Sequence, residues 1–266
     1  MGLPPADPGS TCLITGASSG IGADIARELA ARGHGVTLVA RRADRLSDLA
    51  DELRERHGVR VEALPCDVTD EGARSELLER VADAGLRTEV LVNNAGFGTA
   101  GAFADLDPDR EVQMVRTNIE AVVALTHGVV AGMVERERGA ILHVASSAGF
   151  QPLPRQTTYA ASKAFVLSFS EALSSELGES GITVTALCPG PVRSEFVEVA
   201  AMEAAAAESP DFVWISSAEC AKTAVDGLDD GRRVVVPHAP IRAGVMLSRY
   251  TPHSILLPLL KRFYPV

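Results

Sequence analysis

The stretch Thr11-Cys12-Leu13-Ile14-Thr15-Gly16-Ala17-Ser18-Ser19-Gly20-Ile21-Gly22 runs from a short β-branched segment through a glycine-rich turn, then into Ile25, Ala26 and Leu29 at helical spacing. A strand that turns tightly into a helix leaves the first N–H groups of that helix without intrahelical partners, and these favour an anion. Glycine permits both the tight turn and close approach of a phosphate to the backbone. The spacing is G-x-x-x-G-x-G, which departs from the general G-x-G-x-x-G fingerprint, so by itself the turn reads equally as an ordinary tight connection.

Outward from this turn, short β-branched runs alternate with longer helical patterns. Thr11–Thr15, Val36–Ala40, Val59–Leu64, Val90–Asn93, Ala140–Ala145, Ile182–Cys188 and Val234–Val236 read as strands. Ile21–Arg32, Asp44–Arg56, Glu71–Ala84, Ile119–Arg136, Thr158–Leu177 and Ala218–Leu228 read as helices, with Gly33, Gly58 and Gly85 where C-caps belong. Such alternation predicts an α/β fold: a single doubly wound, Rossmann-type domain on a mostly seven-stranded parallel sheet, with ligands beyond the C-terminal strand ends. Residues 1–10 are expected to be a flexible end, 11–240 the nucleotide-binding domain with a substrate lid at about 194–215, and 241–266 a basic, apolar tail.

Composition narrows the function. The 266 residues are 46% apolar and carry a formal charge of −10, which excludes disorder and argues against a surface that grips nucleic-acid phosphates. Cys12, Cys66, Cys188 and Cys220 lie far apart without a C-x-x-C pair, and no H-E-x-x-H occurs, so neither a disulfide framework nor a metal site is suggested. The first ten residues lack a secretory pattern, and no uninterrupted apolar run reaches the roughly 18 to 20 residues of a membrane span. A reduced, cytoplasmic protein is expected.

Three further segments fall after successive strands: Asn93-Asn94-Ala95-Gly96, Ser146-Ser147-Ala148-Gly149 and Pro189-Gly190. In a parallel sheet they converge with the glycine turn on one edge, the ligand crevice. A site for NAD usually offers a carboxylate to the adenine ribose about 20 residues after the glycine turn. Here the second strand ends in Arg41-Arg42, and guanidinium forks suit a 2′-phosphate, so the expected cofactor is NADP(H). The alternative is that both arginines solvate a helix start while Asp44 takes the ribose. Asp67, after the third strand, can meet the adenine edge or cap the helix beginning near Asp70.

Tyr159 and Lys163 lie four apart in a predicted helix and therefore share a face. A phenol with a pKa of about 10 is a poor acid–base group near neutrality, and an adjacent cation favours its phenolate. Lysine is scarce, at three against 22 arginines, yet a lysine stands here, where arginine could not pass a proton.

Taken together, Thr15–Gly22, Asp67-Val68, Asn93–Gly96, Asn118, Ser146, Tyr159-x-x-x-Lys163 and Pro189-Gly190 resemble the short-chain dehydrogenase/reductase family in order and spacing, from about residue 11 to 196. The resemblance implies that Tyr159 is general acid/base, that Ser146 holds the substrate oxygen, that Lys163 binds the nicotinamide ribose and tunes Tyr159, and that Asn118 holds a water. It further implies a cofactor surface of Gly16, Ser18, Ser19, Gly20, Ile21, Gly22, Arg41, Arg42, Asp67, Val68, Asn94, Ala95, Gly96, Tyr159, Lys163, Pro189, Gly190, Val192 and Ser194. Ser194 stands where the family more often has Thr, Ser19 where many NADP-dependent members have a basic residue, and His143 where Asn is frequent. His143 is read as a satisfied core histidine.

Substrate preference is expected from Phe97, Gln151 to Arg155 and Ser194–Pro210, which hold no fixed anion-binding constellation, so an apolar ketone, aldehyde or secondary alcohol is favoured. From Gly231 to Val266 there are six cations and no Asp or Glu. The tail is expected to dock internally or on a neighbouring subunit, with contact to an anionic membrane surface through Ile255–Leu260, Lys261 and Arg262 as the alternative. Apolar helices near Ile119–Arg136 and Thr158–Leu177 suggest a homodimer or homotetramer. Two other functions compete with the reductase: a sugar epimerase or dehydratase, for which the chain leaves little room, and a dinucleotide-sensing regulator without catalysis, which would predict a damaged relay.

Overall fold

The computed structural model describes residues 2–200 and 210–263. Strands β1 (Ser10–Thr15), β2 (Val36–Ala40), β3 (Val61–Pro65), β4 (Arg87–Asn93), β5 (Gly139–Val144) and β6 (Ile182–Leu187) alternate with helices α1 (Gly20–Ala31), α2 (Ala43–His57), α3 (Glu71–Asp83), α4 (Pro108–Val115), α5 (Ala121–Glu135) and α6 (Thr157–Leu177). A short pair, β7 (Val192–Arg193) and β8 (Ile215–Ser216), flanks the four-residue α7 (Phe196–Val199). The chain continues through α8 (Ser217–Asp229), β9 (Val234–Val235), α9 (Ala239–Tyr250) and α10 (His253–Phe263). The main sheet has seven strands in the order β3-β2-β1-β4-β5-β6-β9, every neighbouring pair parallel.

The strands are apolar on both faces because both are covered by helices. Within β1, Cys12 and Ile14 join a core with Ile25, Leu29, Leu38 and Leu53, whereas Leu13 between them joins Val39, Leu77, Leu91 and Leu125 on the opposite face. This is the two-residue alternation of a strand applied to a sheet buried twice. The helical stretch Pro108–Glu135 is long and apolar enough by composition to cross a membrane. Its buried Met114, Val122, Leu125, Val129 and Met133 make it a core element.

Boundaries differ from the sequence reading where hydrogen bonding decides them. β3 begins at Val61, the first residue in register with Val36 of β2, so Val59 and Arg60 fall before the ladder. Residues 2–10, expected to be a flexible end, are tied down: Asp7 accepts from Gly9 N at 2.7 Å and pairs with Arg87 at 3.2 Å, and Arg138 donates to Pro5 O at 2.7 Å. The expected tail is two helices. Their inner residues Val245, Leu256 and Leu260 are buried, the last two in a cluster with Met114, Leu153 and Tyr159.

Candidate active site

The ends of β1 and β4 are stitched together by Thr15. Its Oγ1 accepts from Asn94 N and Ala95 N, each at 3.0 Å, and donates to Val92 O. Asn94 Nδ2 in turn donates to Thr15 O at 2.9 Å and Gly16 O at 3.2 Å. The Asn94 side chain, expected to face a cofactor, thereby braces the glycine turn, and the residue also lines the cavity. Gly16 and Gly20 adopt left-handed φ of 66° and 55°, and a Cβ at Gly16 would sit 2.7 Å from Asn94 Nδ2. Ser19 occupies the N-cap of α1 without a capping side-chain bond, and no acid stands in the first turn, so the helix start keeps its N–H groups for an anion.

Arg42 lies across this turn. Its guanidinium donates to Ser18 Oγ at 2.9 and 3.1 Å and to Ser19 Oγ at 2.8 Å, and it pairs with Glu195 at 2.9 Å. Arg45, one helical turn further on, pairs with the same carboxylate at 2.5 Å. The two guanidiniums hold the Glu195 carboxyl down at about 2. Asp44 is exposed and does not line the cavity, which disfavours it as the ribose ligand. The cap of α3 is Asp70, accepting from Ala73 N at 2.7 Å, whereas Asp67 accepts from Thr69 N and Oγ1 and lines the cavity with Val68 and Arg41.

Tyr159 and Lys163 share the inner face of α6, both buried. The Ser146 side chain faces the Tyr159 phenol and favours its ionised form, and its Oγ accepts from Ala148 N at 3.1 Å. Lys163 Nζ donates to Val144 O at 2.8 Å and lies 5.9 Å from the Tyr159 ring centroid. The expectation that the ammonium would favour the phenolate is not met in this arrangement: burial dominates, pushing Tyr159 up to about 12 despite the opposing influence of Ser146. Burial also lowers Lys163 to about 8. Asn118 sits in a single π-helical turn, Arg116–Glu120. Its side-chain amide accepts from Phe97 N and donates to Phe97 O and Ser162 Oγ, at 3.0 to 3.2 Å, so both of its donor hydrogens are in use.

One cavity of about 1130 Å³ joins these groups. It brings together Gly16, Ser18, Ser19, Gly20, Ile21, Arg41, Arg42, Asp67, Val68, Asn94, Ala95, Gly96, Ser146, Tyr159, Lys163, Pro189, Gly190, Val192 and Ser194. Gly22 lies beneath the turn and Asn118 behind the wall; neither reaches the lining. Ser194 approaches the turn so closely that a Cβ at Gly20 would be 3.4 Å from its own Cβ.

The family model for short chain dehydrogenases matches residues 10–204. The chain belongs to the short-chain dehydrogenase family. It is 38% identical over 197 residues to a very-long-chain 3-oxoacyl-CoA reductase of Anas platyrhynchos, covering 72% of this chain but 62% of that protein, so it spans less than two thirds of that relative's length. A short-chain dehydrogenase from Sphingobium yanoikuyae solved in complex with NADPH superposes with a TM-score of 0.80 at 36% identity, over 89% of this chain and 92% of that one. A bulky-bulky ketone specific alcohol dehydrogenase from Comamonas testosteroni superposes at 0.75 with 33% identity, over 91% and 99% of the two chains.

In this short-chain dehydrogenase, Phe97, Gln151, Leu153, Phe196 and Pro210 line the cavity as expected, while 201–209 of the expected lid lie outside the described residues. Arg155 is not in the lining; it adopts φ 66° and its carbonyl accepts from Gly101 N. Sequence reasoning missed Arg45, which pairs with Glu195, and it missed the α9 and α10 lining residues: the apolar Ile241, Val245 and Leu260, with the hydroxyl-bearing Ser248. Arg45 stands three residues beyond Arg42 in a helix, a spacing that could have flagged it. His143 is fully buried, as expected: it meets Thr126 at 3.1 Å through Nε2 and Ser170 at 2.8 Å through Nδ1, and burial lowers it to about 3.

Proposed function

We propose that the protein is an NADP(H)-dependent carbonyl reductase, or alcohol dehydrogenase in the reverse direction, acting on an apolar ketone, aldehyde or secondary alcohol. The reading rests on one observation: Ser146, Tyr159 and the buried Lys163 share a cavity with a glycine turn over which Arg42 is fixed. The residues fit the cofactor. The left-handed Gly16 and Gly20 and the uncapped start of α1 suit a pyrophosphate, and Arg42, with Arg41 beside it, suits a 2′-phosphate. Asp67 and Val68 would border the adenine end, and Gly96, Pro189, Gly190, Val192 and Ser194, which line the same cavity, would border the nicotinamide end. When bound, NADP(H) supplies the hydride in reduction and accepts it in oxidation.

The chain's own groups manage charge and proton. In reduction, negative charge builds on the carbonyl oxygen, and hydroxyl hydrogen bonds from Ser146 and Tyr159 stabilise it. Tyr159, kept protonated by burial, then delivers its proton to that oxygen and is left as a phenolate, with Lys163 Nζ 5.9 Å from its ring centroid. A π-helical turn interrupts the regular carbonyl pairing, so the backbone around Asn118, rather than its side chain, is the group available to hold a water behind Lys163.

Apolar substrate preference is supported by Phe97, Leu153, Phe196, Ile241, Val245 and Leu260 in the lining. The names of the relatives, a 3-oxoacyl-CoA reductase and a bulky-ketone dehydrogenase, agree with a sizeable carbonyl compound. Exposed Val112, Val115, Val123 and Val134 on α4 and α5, with Phe165 on α6, support pairing of subunits into a homodimer or homotetramer, and four free cysteines suit the cytoplasm. The test is to follow NADPH oxidation against aliphatic, aromatic and steroid-like ketones. Substrate-dependent oxidation with bulky apolar ketones preferred is expected; NADPH binding without turnover on any of them would favour the dinucleotide sensor.

A further inference from the structure

Helices α9 and α10 carry an outer face that the cavity does not use. Met246, Leu247, Tyr250, Ile255, Leu257 and Leu259 are all exposed, with Leu247 at 73%, Tyr250 at 78% and Ile255 at 62%. They fall within one short stretch of two consecutive helices, separate in sequence from the exposed set on α4, α5 and α6. Burial of a patch this apolar is favourable, so something is expected to cover it. The same segment is cationic: Arg242 and Arg249 are exposed on α9 beside Met246 and Tyr250, and Gly231 to Val266 contains six cations and no Asp or Glu in a chain whose net charge is −10. This region also lies beyond residue 204, where the family match ends.

Charge selects the occupant. A second copy related by a two-fold axis would set the patch against itself, cation against cation, with no carboxylate in the segment to pair them. An anionic lipid surface meets both features, since aliphatic side chains enter the headgroup boundary while arginines meet lipid phosphates. Tyr250 adds an amphipathic ring suited to that depth. We infer that α9 and α10 dock the protein on an anionic lipid surface through the Met246–Leu259 face. The inner residues of these helices, Ile241, Val245, Ser248 and Leu260, wall the cavity, so the lipid-facing element is also the roof of the site. The docking stands independently of the carbonyl reductase reading.

The test floats the full-length protein on phosphatidylcholine vesicles with and without phosphatidylglycerol. Binding to the phosphatidylglycerol vesicles is expected, weakened by salt. Leu247→Glu/Ile255→Glu should cut the bound fraction by at least about tenfold, because two anchors become charges facing anionic lipid. Arg242→Gln/Arg249→Gln should erase the preference for phosphatidylglycerol, and Phe103→Glu, an equally exposed apolar site elsewhere, should float as wild type. If the glutamate pair melts early, Tyr250→Ser carries the same comparison. The inference is overturned if the wild type does not float, if the glutamate pair floats equally well, or if those glutamates dissociate an oligomer while leaving flotation intact.

Discussion

Replacing Arg42 with alanine removes the guanidinium that lies over Ser18 and Ser19 and faces the Glu195 carboxylate. The carboxylate marks where an anion sits between Arg42 and Arg45, the position assigned here to the 2′-phosphate. A charge-assisted contact to a phosphate contributes about 1.5–3 kcal/mol, so Arg42→Ala should weaken NADPH binding by about 10- to 150-fold. NADH, lacking that phosphate, should change by about twofold or less. The mirror variant, Glu195→Gln, frees the arginines. Because Arg42 and Glu195 are each about 40% exposed, at 42% and 41%, their pair is worth only about 0.2–1 kcal/mol, and NADPH should tighten by no more than about fivefold. Fluorescence titration of both nucleotides into the three proteins decides this. Equal losses for NADPH and NADH in Arg42→Ala would refute the phosphate assignment, and looser NADPH binding in Glu195→Gln would mean that the carboxylate helps the cofactor rather than competing with it.

Two pH dependences follow from burial. Lys163 is lowered to about 8, so its charge is present below that pH and lost above it, while Tyr159, pushed up to about 12, stays protonated throughout. Reductive kcat/KM should therefore hold steady up to about pH 8 and fall beyond, and Lys163→Gln should lose that inflection along with most activity. His143 is neutral in the fold down to about 3, whereas the unfolded chain takes up a proton below about 6.5. Stability is thus unaffected by this group above pH 6.5 and falls by about 1.4 kcal/mol per pH unit as the pH drops from there towards 3. Urea midpoints measured across that range should fall less steeply for His143→Gln.

The sheet was legible because its signals are local. β1, the glycine turn and α1 follow from a strand period giving way to a helical one at Gly16–Gly22, and the Tyr159/Lys163 face follows from a spacing of four. What was not legible depends on distance in sequence. Glu195 meets Arg42 and Arg45 across some 150 residues, a pairing that no local pattern announces. Asp67 read equally as an adenine contact or as the cap of the helix beginning near Asp70; the Ala73 N–H that Asp70 accepts makes Asp70 the cap. The C-terminal helices were hidden for a different reason. They are apolar on both faces, Val245 and Leu256 inward and Leu247 and Ile255 outward, so the single stripe of a surface helix is blurred, and Pro258 lies inside α10. The effect of Lys163 on Tyr159 was misjudged because spacing gives proximity but not burial, and in this pocket desolvation is the larger effect.

The measurement that bears most directly on the central claim is single-turnover reduction by Tyr159→Phe with NADPH bound. The substitution deletes one hydroxyl, leaving the ring in contact with Phe196 at 5.5 Å between centroids and the glycine turn untouched. The account predicts NADPH affinity within about twofold of wild type and a hydride-transfer rate lower by at least about a hundredfold, since a positioned proton donor contributes about 10²–10⁴. Wild-type turnover by Tyr159→Phe would contradict it.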